Sequence, residues 1–284
     1  MTFGRKKKTG SPYGGQTVCG GYGDVSRLRY ETNVSILLDV SSSMPDEGIR
    51  YMMEHGFKSI MQTLIGYMGL DYHYHIRIAT FGSEVREVLP FTPVEEAIDL
   101  KLPAVQTGGV TCTEDGMRDA IQATRQQKQE QDDAHLKRGS SLCIVITDGI
   151  PTDGEGRRTS LDPDLVDEIA LLNASRTLIT FAVGFGNVDE RVLSQLAPAD
   201  HAKLRDGSTM PFAHALRFTG DYDEKGRDFW QVITKLVGSA SSSTTTAGHS
   251  DQMVVGFAYE DADLPEAFRN VSLVDPSLDV QLLY

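Results

Sequence analysis

Three short runs of apolar, mostly β-branched residues constrain this chain more than any other feature. They are Val34–Val40 (VSILLDV), Ser141–Thr147 (SLCIVIT) and Leu178–Val183 (LITFAV). A strand with one wet face alternates apolar and polar residues, whereas a near-continuous run reads as a strand covered on both faces. Helix-period segments lie between the runs. Ile49, Met52, Met53, Phe57, Ile60, Met61, Leu64, Ile65 and Met68 fall at steps that place them on one apolar stripe, the core face of a helix. Asp46, just ahead of it, is placed to cap that helix. Met117, Ala120, Ile121 and Thr124 mark another helix, and Leu165–Leu172, Val188–Leu196 and Asp228–Val237 read as helices too. His75–Phe81 and Val85–Leu89 are strand-like around the turn Gly82-Ser83-Glu84. Strands alternating with helices need crossover connections. The pattern predicts an α/β fold: a Rossmann-like, doubly wound, mostly parallel sheet flanked by helices.

Charge divides the chain into unlike parts. Lys+Arg number 27 against 40 Asp+Glu, a net −13. Residues 1–30 hold six bases against Asp24, and residues 251–284 hold seven acids against Arg269. The expected organisation is a flexible, glycine-rich basic lead-in at 1–32 and a folded domain at 33–238. A Ser/Thr-rich linker at 239–250 and an acidic tail at 251–284 follow. The tail carries apolar patches and no clear fold of its own. An acidic body repels phosphate, which argues against nucleic-acid binding by the domain. No stretch is apolar for long enough to span a membrane, and the basic start is not followed by the apolar region of a signal peptide. Three cysteines without a CxxC pair imply neither a disulfide framework nor a zinc ribbon, and the expected location is cytoplasmic.

The chemistry falls at the carboxyl ends of the apolar runs, where open parallel sheets bind ligands. Asp39-Val40-Ser41-Ser42-Ser43 places one carboxylate and two hydroxyls at alternate positions after the first run. Gly108-Gly109 leads to Thr111 and Thr113 just before a helix, and Thr147-Asp148-Gly149 closes the second run. Two carboxylates and several hydroxyls, with no histidine or cysteine, make an all-oxygen set suited to a hard divalent cation such as Mg²⁺.

In that order, the DxSxS segment, the Gly-Gly loop with its threonine and the Thr-Asp-Gly strand end resemble the von Willebrand factor type A (VWA) domain. The resemblance runs over roughly residues 33–238 and extends to a metal-ion-dependent adhesion site. It implies Asp39, Ser41, Ser43, Thr111 and Asp148 as metal residues. Val110 intervenes between the glycines and Thr111, which leaves Thr113 as a second candidate. The implied cofactor is a divalent cation, Mg²⁺ first, with Mn²⁺ or Ca²⁺ possible. The implied function is metal-dependent binding of a protein partner that supplies a carboxylate, not catalysis. Among bacterial relatives the chain looks most like proteins of tellurium-resistance and stress clusters. An acid of the tail (Glu260, Asp261 or Asp263) is a candidate internal ligand.

Three other readings stand beside this one. The serines alone would cap the first helix. A haloacid-dehalogenase-like, Mg²⁺-dependent phosphatase would use Asp39 as nucleophile and Asp148 with Asp153 as metal ligands. That chemistry needs an acid two residues after the nucleophile, where Ser41 stands. The third reading is a VWA scaffold without a working metal site. His73 and His75 read as structural or surface residues.

Overall fold

β1 (Tyr30–Asp39) is buried along almost its whole length. Val34, Ile36 and Leu38 enter one hydrophobic core and Leu37 the other, the period-two alternation of a strand between two helical layers. The computed structural model describes residues 30–68, 72–139, 141–148, 150–186, 188–198, 200–203 and 209–218, with Ile233, 257–258 and 268–270. The remaining elements are α1 (Asp46–Tyr51), a π-helical turn (Met52–Gly56), α2 (Phe57–Tyr67), β2 (Tyr72–Phe81), β3 (Val85–Pro93) and α3 (Val94–Ala97). Next come α4 (Thr113–Asp133), β4 (Lys137–Arg138), β5 (Ser141–Thr147), α5 (Pro163–Ala174), β6 (Leu178–Phe185) and α6 (Glu190–Leu196). β7 (Asp200–Lys203), β8 (Thr209–Ala213), β9 (Ala215–Phe218), β10 (Phe257–Ala258) and β11 (Phe268–Asn270) complete the described elements.

The main sheet runs β11-β9-β6-β5-β1-β2-β3, with β4 also pairing β1. Its interior pairs β9–β6, β6–β5, β5–β1 and β1–β2 are parallel, and both outer strands, β3 and β11, are antiparallel. The mostly parallel, helix-flanked architecture is the expected one. From β1 the chain builds outward to β2 and β3 on one side and from β5 to β6 and β9 on the other. The order therefore reverses between β1 and β5, and a crevice opens beyond the carboxyl ends of those two strands.

One core holds Ile49, Met52, Phe57, Ile60, Met61 and Leu64 of the first helical stretch against Ile36, Ile76 and Ile144. The other holds Met117, Ala120 and Ile121 of α4, Leu165 and Ile169 of α5, and Leu193 and Leu196 of α6. The methionine-rich stripe is thus a core face. Each such fully buried aliphatic side chain stabilises the fold by about 1.5–3 kcal/mol.

Several boundaries differ from expectation. Asp46 does not cap α1: Pro45 stands at the cap position with no side-chain hydrogen bond, and Asp46 is the first helical residue. Its carboxylate accepts from the Thr107 hydroxyl, and an acid in a first turn still meets the positive end of the helix. β1 starts at Tyr30, inside the expected lead-in. Phe257–Ala258 pairs with β8 and Phe268–Asn270 with β9, so two pieces of the 251–284 stretch belong to sheets. Backbone pairing at a sheet edge needs no long apolar run, which is why these pieces were not visible in the hydropathy pattern. The basic cluster at 5–8, the linker at 239–250 and the acids Glu260, Asp261 and Asp263 lie outside the described residues. Of the expected helix at 228–237 only Ile233 is described, buried in the first core.

Candidate metal centre

Asp39 is the last residue of β1, and the chain turns immediately beyond it. The Val40 N–H continues the pairing by donating to the Phe81 carbonyl (2.8 Å), and the Met44 N–H closes a turn onto the Ser41 carbonyl (3.1 Å). Inside that turn the Ser41 N–H donates to Asp39 Oδ1 (2.8 Å), the local side-chain-to-backbone bond that aspartate favours at turns. The Ser41 and Ser43 hydroxyls are 3.1 Å apart, and Ser43 donates to Asp148 Oδ1 (2.8 Å). The structure therefore brings Asp39, Ser41, Ser43 and Asp148 into one hydrogen-bonded cluster, with β1 and β5 supplying the two carboxylates. The serines do not cap the helix, because their hydroxyls are committed elsewhere.

Ser42 turns the other way and joins the glycine loop. Its N–H (3.2 Å) and its hydroxyl (3.1 Å) both meet the Gly109 carbonyl, while the Gly108 N–H donates to the Val40 carbonyl (2.7 Å). Gly109 has φ +82°, and a Cβ there would collide with the Ser83 hydroxyl, so this close approach requires glycine. Ser83 Oγ in turn accepts from the Val110 N–H (3.2 Å).

Thr111 lies on that loop, buried, with its N–H on Thr152 Oγ1 (2.8 Å) and its carbonyl accepting from the Thr152 N–H (2.9 Å). Thr113 opens α4 with its N–H on the Thr111 carbonyl (3.0 Å). Neither threonine hydroxyl is hydrogen-bonded to the four-residue cluster, so both remain candidates at its margin. Thr152 is a partner that sequence reasoning missed; nothing in its spacing pointed to it. Thr147 was also missed as a side chain in the site, although a hydroxyl directly before Asp148 was the available signal. Its hydroxyl donates to Asp39 Oδ2 (2.5 Å).

Burial governs the electrostatics. Asp39 is inaccessible to solvent, and desolvation pushes its carboxyl from 3.8 up to about 6, against the lowering effects of Thr147 and Ser41. The nearby Asp148 carboxylate adds a smaller upward push. Asp148 is itself raised, first by burial, with the Ser43 hydrogen bond opposing. Two acids held together with hydroxyls, and with no cationic side chain paired to them among the described residues, are a donor set that a hard cation would complete. Among the described residues there is no cluster of three His, Cys, Asp or Glu side chains that could hold a metal ion.

Asp153 does not join the cluster. Its carboxylate accepts from the Glu155 N–H (2.9 Å), the Arg157 N–H (2.9 Å) and the Arg157 guanidinium (2.8 Å), and these bonds hold its pKa below the ordinary value. A cavity of about 660 Å³ opens beside the glycine loop, lined in part by Val40, Ser83, Gly108 and Gly109. A larger one, about 940 Å³, lies between α1, α2 and residues 98–107 and shares Pro103–Thr107 with the first. Among the described residues no helix is long and apolar enough to cross a membrane.

No curated protein matches this chain. Solved structures similar to it include proximal thread matrix protein 1 from the mussel byssus, at 18% identity and TM-score 0.49, covering 74% of this chain and 47% of that one. Another structure of that mussel protein, described as having a zinc-occupied MIDAS motif, matches at 18% identity and TM-score 0.47, covering 75% and 48%. A von Willebrand factor type A protein from Catenulispora acidiphila matches at 14% identity and TM-score 0.45, covering 74% and 43%. This chain thus spans less than half the length of each. The family described as von Willebrand factor type A domain matches residues 33–211, more than half of the sequence, and the chain belongs to that family.

Proposed function

We propose that this chain is a metal-dependent protein-binding module. A divalent cation held at the carboxyl ends of β1 and β5 would take a carboxylate from a protein partner. The observation that carries the reading is the convergence of Asp39, Ser41, Ser43 and Asp148 in one hydrogen-bonded cluster that, among the described residues, includes no cationic side chain. When bound, the cation supplies positive charge and an open coordination position for an anionic oxygen. Asp39 and Asp148 balance its charge, Ser41 and Ser43 add neutral oxygens, and Thr111 or Thr113 completes the set from the glycine loop. Mg²⁺ is our first choice, because one-oxygen donors and water suit a small octahedral ion.

The module binds and does not catalyse in this reading. Ser41 stands where a phosphatase would need its acid, and Asp153 is occupied within its own turn. We assign it, on the motif resemblance, to the bacterial tellurium-resistance and stress-associated type. A cytoplasmic setting fits the two described cysteines, Cys112 and Cys143, which are free and buried.

Calorimetric titration with MgCl₂ and MnCl₂ tests the metal site. A cation bound only by the folded state at a hundred times its Kd adds about 2.7 kcal/mol of stability. Wild type gains that stability and the Asp39→Ala/Ser41→Ala chain does not; equal behaviour of the two removes the metal reading. Capture of partners from native cells, with and without chelator, tests the second half. Partners retained by the double variant or in chelator are not bound through the metal.

A further inference from the structure

The hydrogen bonds at the site form a closed circuit. From Asp39 it passes through the Ser41 N–H, the paired Ser41 and Ser43 hydroxyls and the Ser43–Asp148 bond. Thr147, covalently joined to Asp148, returns it to Asp39 by donating to Oδ2. Four members of the circuit belong to the candidate ligand set, and Thr147 does not. Its side chain is buried, so it offers nothing to a partner, and its hydroxyl faces Asp39, the fully enclosed one of the two carboxylates of the site.

We infer that Thr147 is a positioning residue that fixes the Asp39 carboxylate and thereby sets the preference of the site among divalent cations. This rests on the metal-binding reading above. An aspartate carboxyl turns easily about its last torsion, where the energy wells are broad. With the Ser41 N–H on one oxygen and the Thr147 hydroxyl on the other, Asp39 is held in one plane. It presents one oxygen at a time and resists swinging both onto one ion. Ca²⁺ accepts chelating carboxylates and six to eight oxygens, whereas Mg²⁺ demands octahedral geometry built from single oxygens and water. Ser41 and Ser43 are one-oxygen donors as well. Fixing Asp39 therefore favours the smaller ion.

The competing explanation is that Thr147 only satisfies a buried acceptor. Selectivity separates the two. Titrations of the full chain with MgCl₂ and with CaCl₂ would compare wild type with Thr147→Val, which keeps the shape and removes the donor, and Thr147→Ser, which keeps the donor. We expect Thr147→Val to weaken Mg²⁺ by roughly tenfold or more, as loss of a partner behind a ligand does, and to weaken Ca²⁺ less. The ratio of Mg²⁺ to Ca²⁺ affinity falls, and Thr147→Ser restores it. Thermal unfolding in chelator checks that each variant folds, and Thr147→Ala carries the same expectation should the valine chain fail. Equal weakening of both ions, or no weakening, overturns the inference and leaves the metal site standing. A wild-type chain that binds neither ion overturns the metal site, and the inference with it.

Discussion

Two of the regions where this molecule buries polar groups, under α4 and at the carboxyl ends of β1 and β5, solve the problem of burial differently. Under α4, the enclosed Arg77 guanidinium meets Glu87 at 2.9 Å and Asp119 at 2.6 Å. Beside it, Asn33 and Gln131 exchange two amide hydrogen bonds of 3.0 and 2.9 Å. The chain itself supplies the matching charge and the matching amide. At the strand ends, Asp39 and Asp148 meet hydroxyls and an N–H, and burial lifts both pKa values. Among the described residues no Lys, Arg or His forms an ion pair with either acid. Under α4 the charge is matched from within the chain, although the buried Arg77 Nη1 has no hydrogen-bond partner among the described residues, whereas the strand-end polarity has its charge left to be matched from outside.

Removing one partner in each region sharpens the contrast. The largest effect is expected under α4. Asp119→Ala leaves the buried Arg77 with Glu87 alone, and stability should fall by about 3 kcal/mol in urea unfolding, with or without metal. Metal affinity should stay within about twofold of wild type, because the two regions share no partner. A loss below about 1 kcal/mol would break the claim that Arg77 depends on the chain for its counter-charge.

At the strand ends the sign should reverse. A carboxyl whose folded pKa lies above its unfolded one holds its proton more tightly when folded. The Asp39 contribution to metal-free stability is therefore fully present below 3.8 and is lost as pH rises through about 6. The full rise corresponds to about 3 kcal/mol at pH 7. Asp39→Asn removes that burden and keeps an acceptor for the Ser41 N–H. In chelator at pH 7 it should be more stable than wild type by about 2 kcal/mol, allowing for a weaker acceptor. At pH 4 the gain should vanish, and saturating metal should restore the advantage of wild type. Calorimetric unfolding over that range checks it; an Asn chain less stable at pH 7 in chelator would mean that hydrogen bonding outweighs desolvation at Asp39. Ser42→Ala should have the smallest effect, about 0.5–1 kcal/mol, because it loses the hydroxyl bond to Gly109 and keeps the N–H bond.

The central strands were legible because burial on both faces leaves an unbroken apolar run, as in Ile144-Val145-Ile146 of β5. The position of Asp39 and Asp148 followed from those runs, since a strand end is where apolar composition stops. Of the peripheral strands, β3 was legible as Val85–Leu89, whereas β7, β9 and β11 were not. Ala215–Phe218, Asp200–Lys203 and Phe268–Asn270 are short, and long-range pairing places them rather than any local period. The π-helical turn at Met52–Gly56 was equally invisible, because its apolar residues keep helical spacing on either side. Within the site, residue types were readable while hydroxyl directions were not. Ser42 was passed over between two candidate ligands, yet it fastens the DxSxS turn to the glycine loop.

The edge strand Phe268–Asn270 also has a consequence in time. Every residue proposed to hold the metal lies at or before Asp148, but β9 remains an open edge until residue 270 has been synthesised. During translation the oxygen cluster can assemble while the far edge of the sheet still exposes unpaired backbone, the kind of surface that invites pairing with other chains. Pairing of residues 268–270 then covers β9 and passes the open edge to a strand only three residues long.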